Sequence, residues 1–243
     1  MSAVATPQVV AELAPTGVLR AAINMGNFLL VTGKAANGDP AGVAPDMARA
    51  IAERLGVGVA YVPYPRPNQL ADAAEAGAWD IGLIGAEPQR AARIAFTDAY
   101  CEIEAAYLVP AGSKLATMAE VDAPGVRVVS VTGAAYTLWL ERNLHQATLI
   151  QTAPADAAAK LASGAADVLA GLRPGLLGDI ERQPGARILE GGFMTVQQAV
   201  GTLHTHAAGA AFLQAFVAEA KVSGLVARLI EKHGGAGRLS VAR

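Results

Sequence analysis

The sequence predicts an α/β fold in two lobes, each a small, mainly parallel sheet flanked by helices, with two extended crossover segments joining them. Three observations point there. Short β-branched runs alternate with Ala-rich helical stretches. A strand–helix–strand–helix–strand unit occurs twice with similar spacing, though without clear sequence repetition. Two extended runs without helix signals, 104–110 and 195–202, interrupt the alternation and read as a paired crossover.

The elements follow in order. Residues 17–23 form a first strand that ends at Asn24-Met25-Gly26-Asn27-Phe28. Residues 45–56 form a helix: Pro45 and Asp46 favour its first turn, Met47, Ile51 and Leu55 share one face, and Gly56 suits the stop. A strand over 57–64, a helix over 67–77 and a strand over 79–84 complete the first unit, with right-handed crossovers expected. The second unit has strands over 126–131, 147–151 and 167–170, with helices over 133–143, 154–164 and 173–183. The final stretch, 207–232, is helical with a break near Ser223-Gly224, and is expected to return to the first lobe. The lobes are thus expected as 1–109 plus 199–243, and 110–198.

Composition narrows the function. Hydrophobic residues are 53% of the 243 and charged residues 16%, which excludes a disordered chain. A net charge of −2, no basic run and only 5% aromatics argue against nucleic acid as a partner. Mean hydropathy is positive, yet no apolar stretch reaches the ~20 residues of a membrane span, so a soluble protein is expected. Cys101 is the sole cysteine and lies in an apolar context, Tyr100-Cys101-Glu102-Ile103, which reads as a buried structural thiol. The first 17 residues have neither a basic nor a continuous apolar region. The expectation is a cytoplasmic protein, or a periplasmic one whose leader has been removed.

Three passages carry a resemblance. The first is Gly38-Asp39-Pro40-Ala41-Gly42-Val43-Ala44-Pro45-Asp46-Met47-Ala48. The second is Trp79-Asp80-Ile81-Gly82, then Glu87-Pro88-Gln89-Arg90-Ala91 and Ile94-Ala95-Phe96-Thr97-Asp98-Ala99-Tyr100. The third is Val129-Ser130-Val131-Thr132-Gly133-Ala134-Ala135-Tyr136. Together, in this order and spacing, they resemble the extracellular solute-binding proteins of family 3, the amino-acid-binding kind, over nearly the whole chain. The resemblance implies the type II periplasmic binding protein fold, with a small anionic, carboxylate-bearing ligand held between lobes that close about a hinge. It further implies a monomer that works with an ABC transporter permease. No cofactor or metal is expected.

The candidate site residues are weighed against plainer readings. Arg90 follows Glu87-Pro88 just beyond a strand's C-terminal end, where open α/β sheets hold ligands. The matching Arg of the family clamps the ligand carboxylate, and a planar guanidinium suits that role; the plain reading is a solvated Arg. Ala86 shares that strand end. Glu87 would accept from a ligand amine or cap the short helix. Asn24, Asn27 and Phe28 close the first strand, with Phe28 either an apolar wall for ligand or core packing. Gly133 turns a strand into a helix, so the amides of Gly133, Ala134 and Ala135 would face an anion, with hydroxyls of Thr132 and Tyr136 nearby. Gln197 and Gln198 lie in the second crossover, and Arg66 is a lesser candidate at the rim. The family's ammonium partner, an acid, falls here on Leu172, beside Arg173. That departure argues against a standard α-amino acid. If Arg173 faces the cleft, two arginines favour a dicarboxylate; if it does not, a monocarboxylate fits.

Catalytic signals are weak. His145, His204, His206 and His233 are scattered, and no phosphate loop, G-x-S-x-G or paired Cys is present. Binding without chemistry is the expectation. The alternatives are a cyclohexadienyl (prephenate or arogenate) dehydratase on the same fold, with Glu87 as its acid, and a ligand sensor.

Overall fold

The computed structural model describes residues 3–243, and every element expected from the sequence is present within them. Helix α1 (Pro7–Leu13) opens the chain, with the Thr6 hydroxyl accepting from Val9 N–H. Strand β1 (Val18–Asn24), the short pair β2 (Gly33–Lys34) and β3 (Pro40–Ala41), helix α2 (Val43–Leu55) and strand β4 (Gly58–Tyr64) follow. Next come α3 (Pro67–Asp72), β5 (Ile81–Gly85), α4 (Pro88–Ala91), β6 (Ile94–Phe96) and β7 (Cys101–Val109).

Helix α3 is shorter than its pattern predicts, for a tertiary reason. The buried Trp79 indole N–H donates to Leu70 O at 3.0 Å. That takes the acceptor the next helical turn needs, and Ala74 N–H turns back to Ala71 O instead.

Strand β8 (Arg127–Val131), α5 (Ala135–Asn143), β9 (Thr148–Thr152), α6 (Ala157–Ala162), β10 (Val168–Leu172), α7 (Arg173–Arg182) and β11 (Arg187–Ile188) make the second series. Strand β12 (Met194–Leu203), α8 (Ala207–Val222), α9 (Leu225–Lys232) and β13 (Ser240–Val241) finish the chain. Gly224, at φ 74°, separates α8 from α9, which are bent by 70°. No single helix among the described residues is long and apolar enough to cross a membrane.

The chain separates into two units: residues up to Glu102 with Gln197–Arg243, and Ile103–Val196. β7 and β12 each carry the chain through a boundary. In unit 1, β1 lies between β4 and β5, parallel to both, and β12 pairs antiparallel with β5 and β6. In unit 2, β8 lies between β9 and β10, parallel to both, and β10 pairs antiparallel with β7. Leu70, Trp79 and Ile84 anchor one core. Val129, Leu161 and Leu169 anchor another, on the face opposite Val128, Leu140 and Val168.

Candidate ligand site

Open α/β sheets place ligands beyond the carboxyl ends of their strands, and each unit has one such edge. In unit 1, β1 and β4 end together at Asn24 opposite Tyr64. β5 ends at Gly85 opposite Gln198. Ala86 follows, its amide donating to Gln197 O at 2.8 Å, and Glu87 then starts the single turn of α4.

That turn delivers Arg90 inward. Its side chain is buried, only 5% exposed, and Nη1 donates to Gly85 O at 2.6 Å. Burial lowers its pKa to about 10 against the opposing pull of Glu87, so it remains a cation at neutral pH. Glu87 is also buried, and its side chain does not cap α4. The far end of α4 is held by His204, whose Nε2–H donates to Ala91 O at 2.9 Å; nothing in the local sequence pointed to this brace.

Asn24 and Asn27 each fasten the loop with a side-chain oxygen. Asn24 Oδ1 accepts from Gly26 N–H, and the buried Asn27 Oδ1 from Leu29 N–H, each at 3.1 Å. Phe28 is 48% exposed, with the Arg238 guanidinium 5.9 Å from its ring centroid. Its surroundings are therefore not a packed core, and it stands beside a cation. Gln197 Nε2 donates to Glu102 Oε2 at 3.2 Å. Gln198 is buried with Oε1 unpartnered, as are Asn68 Oδ1 and Gln69 Oε1 at the start of α3. Arg66 is exposed just before them.

In unit 2 the matching edge is the turn from β8 into α5. Gly133, at φ 73°, makes that turn in the left-handed region that glycine tolerates best. A buried brace supports it: Thr137 Oγ1 lies 2.5 Å from Ser130 Oγ and donates to Val131 O at 2.6 Å. The Ala134 amide donates to Val131 O and the Thr137 amide to Ala134 O, at 3.2 and 3.0 Å. The Ala134 amide, one of the expected set, is thus engaged within the turn, while Ala135 and Tyr136 N–H belong to the first turn of α5, whose amides have no intrahelical acceptor. Thr132 spends both amide and hydroxyl on Thr152 O. Tyr136 is buried among Ala105, Ala135 and Val196, with Leu172, Phe193 and Met194 alongside, and burial raises its hydroxyl pKa.

Arg173 opens α7 directly after Leu172. Its Nε donates to Glu104 Oε2 and its Nη2 to Gly191 O. Glu104 thus occupies Arg173, a pairing that sequence spacing does not reveal. Among the described residues no group of three or more His, Cys, Asp or Glu is arranged to hold a metal. Cys101 is fully buried, and burial raises its thiol pKa.

Each sheet ends at its carboxyl edge in a turn into a helix, β5 into α4 and β8 into α5. The family profile for bacterial extracellular solute-binding proteins, family 3, matches residues 27–236, and the chain belongs to that family. A comparison with curated protein sequences finds no match.

Solved structures share the type II periplasmic binding protein fold. One is the amino acid ABC transporter substrate-binding protein AbpA from Streptococcus pneumoniae bound to L-arginine (21% identity, 93% of this chain and 98% of that one, TM-score 0.72). Another is the ancestral amino acid-binding protein AncCDT-1, a precursor of cyclohexadienyl dehydratase (21% identity, 92% and 98%, TM-score 0.73). A third is a histidine kinase sensor domain with similarity to periplasmic binding proteins (22% identity, 90% and 96%, TM-score 0.74).

Proposed function

We propose that this protein captures a small monocarboxylate metabolite without an α-ammonium group and delivers it to an ABC transporter permease, acting outside the cytoplasm. Arg90 grips the carboxylate from unit 1 by two parallel hydrogen bonds. In unit 2, the Ala135 and Tyr136 amides at the start of α5 offer further donors to an anion.

One observation carries the choice of ligand. Where an ammonium partner would stand, Leu172 lies against an apolar cluster with Tyr136, Phe193 and Met194. A buried ammonium at that point would lose its hydration without an ionic partner, which is costly. The same cluster suits an apolar remainder on the ligand. Family membership supports binding rather than catalysis.

A thermal-shift panel tests the reading with isovalerate, phenylacetate, 2-oxoisovalerate, L-leucine, L-arginine, L-glutamine and glutarate. The expected stabiliser is a monocarboxylate, by about 2.7 kcal/mol at 100 times its Kd. A larger shift from an ordinary amino acid would overturn the assignment. Turnover of prephenate would replace it with a dehydratase, Glu87 being the buried acid at hand.

A further inference from the structure

The carboxyl edge of unit 2 holds a charge pair that the proposed monocarboxylate site does not use. Strand pairing sets Leu172 opposite Ala105, so Glu104 comes beside Arg173 just past the last paired residues. Arg173 Nε donates to Glu104 Oε2, and Nη2 is 3.5 Å from Oε1. The backbone passes close by one side of this carboxylate, whose side chain remains 42% exposed. A Cβ on Gly192 would fall 2.6 Å from both Glu104 Cγ and Oε1, and 2.9 Å from Ala105 O. On either side the segment is fastened, by Arg173 Nη2 on Gly191 O and by Phe193 N–H on Ala105 O at 3.0 Å. Only a residue without a side chain lets the backbone lie so near Glu104.

We propose that Glu104 is a built-in occupant of a second carboxylate subsite whose cation is Arg173, and that it restricts the ligand to one carboxylate. The inference rests on the monocarboxylate reading above. A ligand with a distal carboxylate meets an anion already seated on the guanidinium. It must displace a tethered competitor or sit beside a like charge, and either outcome weakens its binding relative to a monocarboxylate. Removing the Glu104 charge exposes the guanidinium at the edge where Leu172 and the Gly133 turn also end.

The test is calorimetric titration with glutarate and succinate, and with isovalerate and phenylacetate, on four proteins: wild type, Glu104→Ala, Glu104→Gln and the double variant Glu104→Ala/Arg173→Ala. Glu104→Ala should tighten glutarate by about ten-fold or more, and the double variant should lose that gain. Glu104→Gln preserves shape while removing the charge, so it should gain in the same direction and guards against a packing defect in the alanine variant. Unchanged glutarate affinity in folded Glu104→Gln and Glu104→Ala would overturn the proposal. A wild type that binds neither monocarboxylates nor 2-oxoisovalerate would sink the parent reading separately, while a glutarate gain cancelled by Arg173→Ala would still support the subsite.

Discussion

At the amino-terminal edge of unit 1, Asp80 clasps Arg20. Its Oδ2 accepts Arg20 N–H at 2.8 Å, Oδ1 accepts Nη2 at 2.6 Å, and Asp80 N–H returns to Arg20 O at 2.9 Å. Unit 2 repeats the clasp with Arg127 and Asp167, at 2.9, 2.8 and 2.9 Å for the same three bonds. In each case the Asp precedes the strand that runs parallel to the Arg strand, β5 beside β1 and β10 beside β8. The carboxyl edges diverge. Unit 1 presents the buried side chains Arg90 and Glu87, whereas unit 2 presents backbone amides beside an apolar cluster. The lesson is that the two units share the Arg–Asp clasp where their strands start and differ in the side chains at the opposite edge.

Four experiments break or sharpen this comparison. Arg90→Ala should weaken monocarboxylate binding by at least about 100-fold, since it removes a charged two-bond contact. Arg90→Lys should recover only part of it, because an ammonium lacks the planar fork. Unaltered affinity in the alanine variant, measured by calorimetry, would move recognition away from unit 1.

Next in size is the clasp itself. The Asp80 side chain is 2% exposed and that of Asp167 is 38%. Asp80→Asn should cost roughly 3 kcal/mol by leaving part of a buried pair uncompensated. In a melt that is on the order of 10 °C. Asp167→Asn should lower Tm by clearly less, because water already screens that pair. Equal losses would show that the two clasps are energetically equivalent despite their different burial.

Ala135→Pro should reduce monocarboxylate affinity by about ten-fold by deleting one outward amide. Ala135 is the first helical residue after Ala134, whose φ −68° and ψ 151° accommodate a following proline, so α5 should remain intact. A variant that binds normally would remove that amide from the anion site.

The smallest effect is one of pH. The hydrogen bond from Arg127 is the main influence lowering the Asp167 pKa, with burial opposing it. A depressed carboxylate stabilises the fold above its unfolded pKa, and that contribution is lost as pH falls through the folded value. Thermal melts below about pH 4 should therefore show a slightly flatter acid loss in Asp167→Asn than in wild type.

The alternation of strands and helices was legible in the sequence because hydrophobic period is local, and so was the position of the Arg90 turn just past a buried strand. Helix α3 was read too long because the Trp79 indole, which takes its carbonyl, arrives from the segment that leads into β5. The Glu104 partner of Arg173 is 69 residues away, and only the antiparallel register of β7 with β10 brings them together. Likewise, the outward amides at α5 depend on which carbonyls the Gly133 turn brings within reach.

By itself, then, the sequence determined the alternation of strands and helices and the turn that carries Arg90 just past β5, since each arises from residues near in the chain. Only the tertiary structure decided which charges are already spoken for. An ion pair depends on distance in space, and folding sets that distance through strand register that no local pattern encodes.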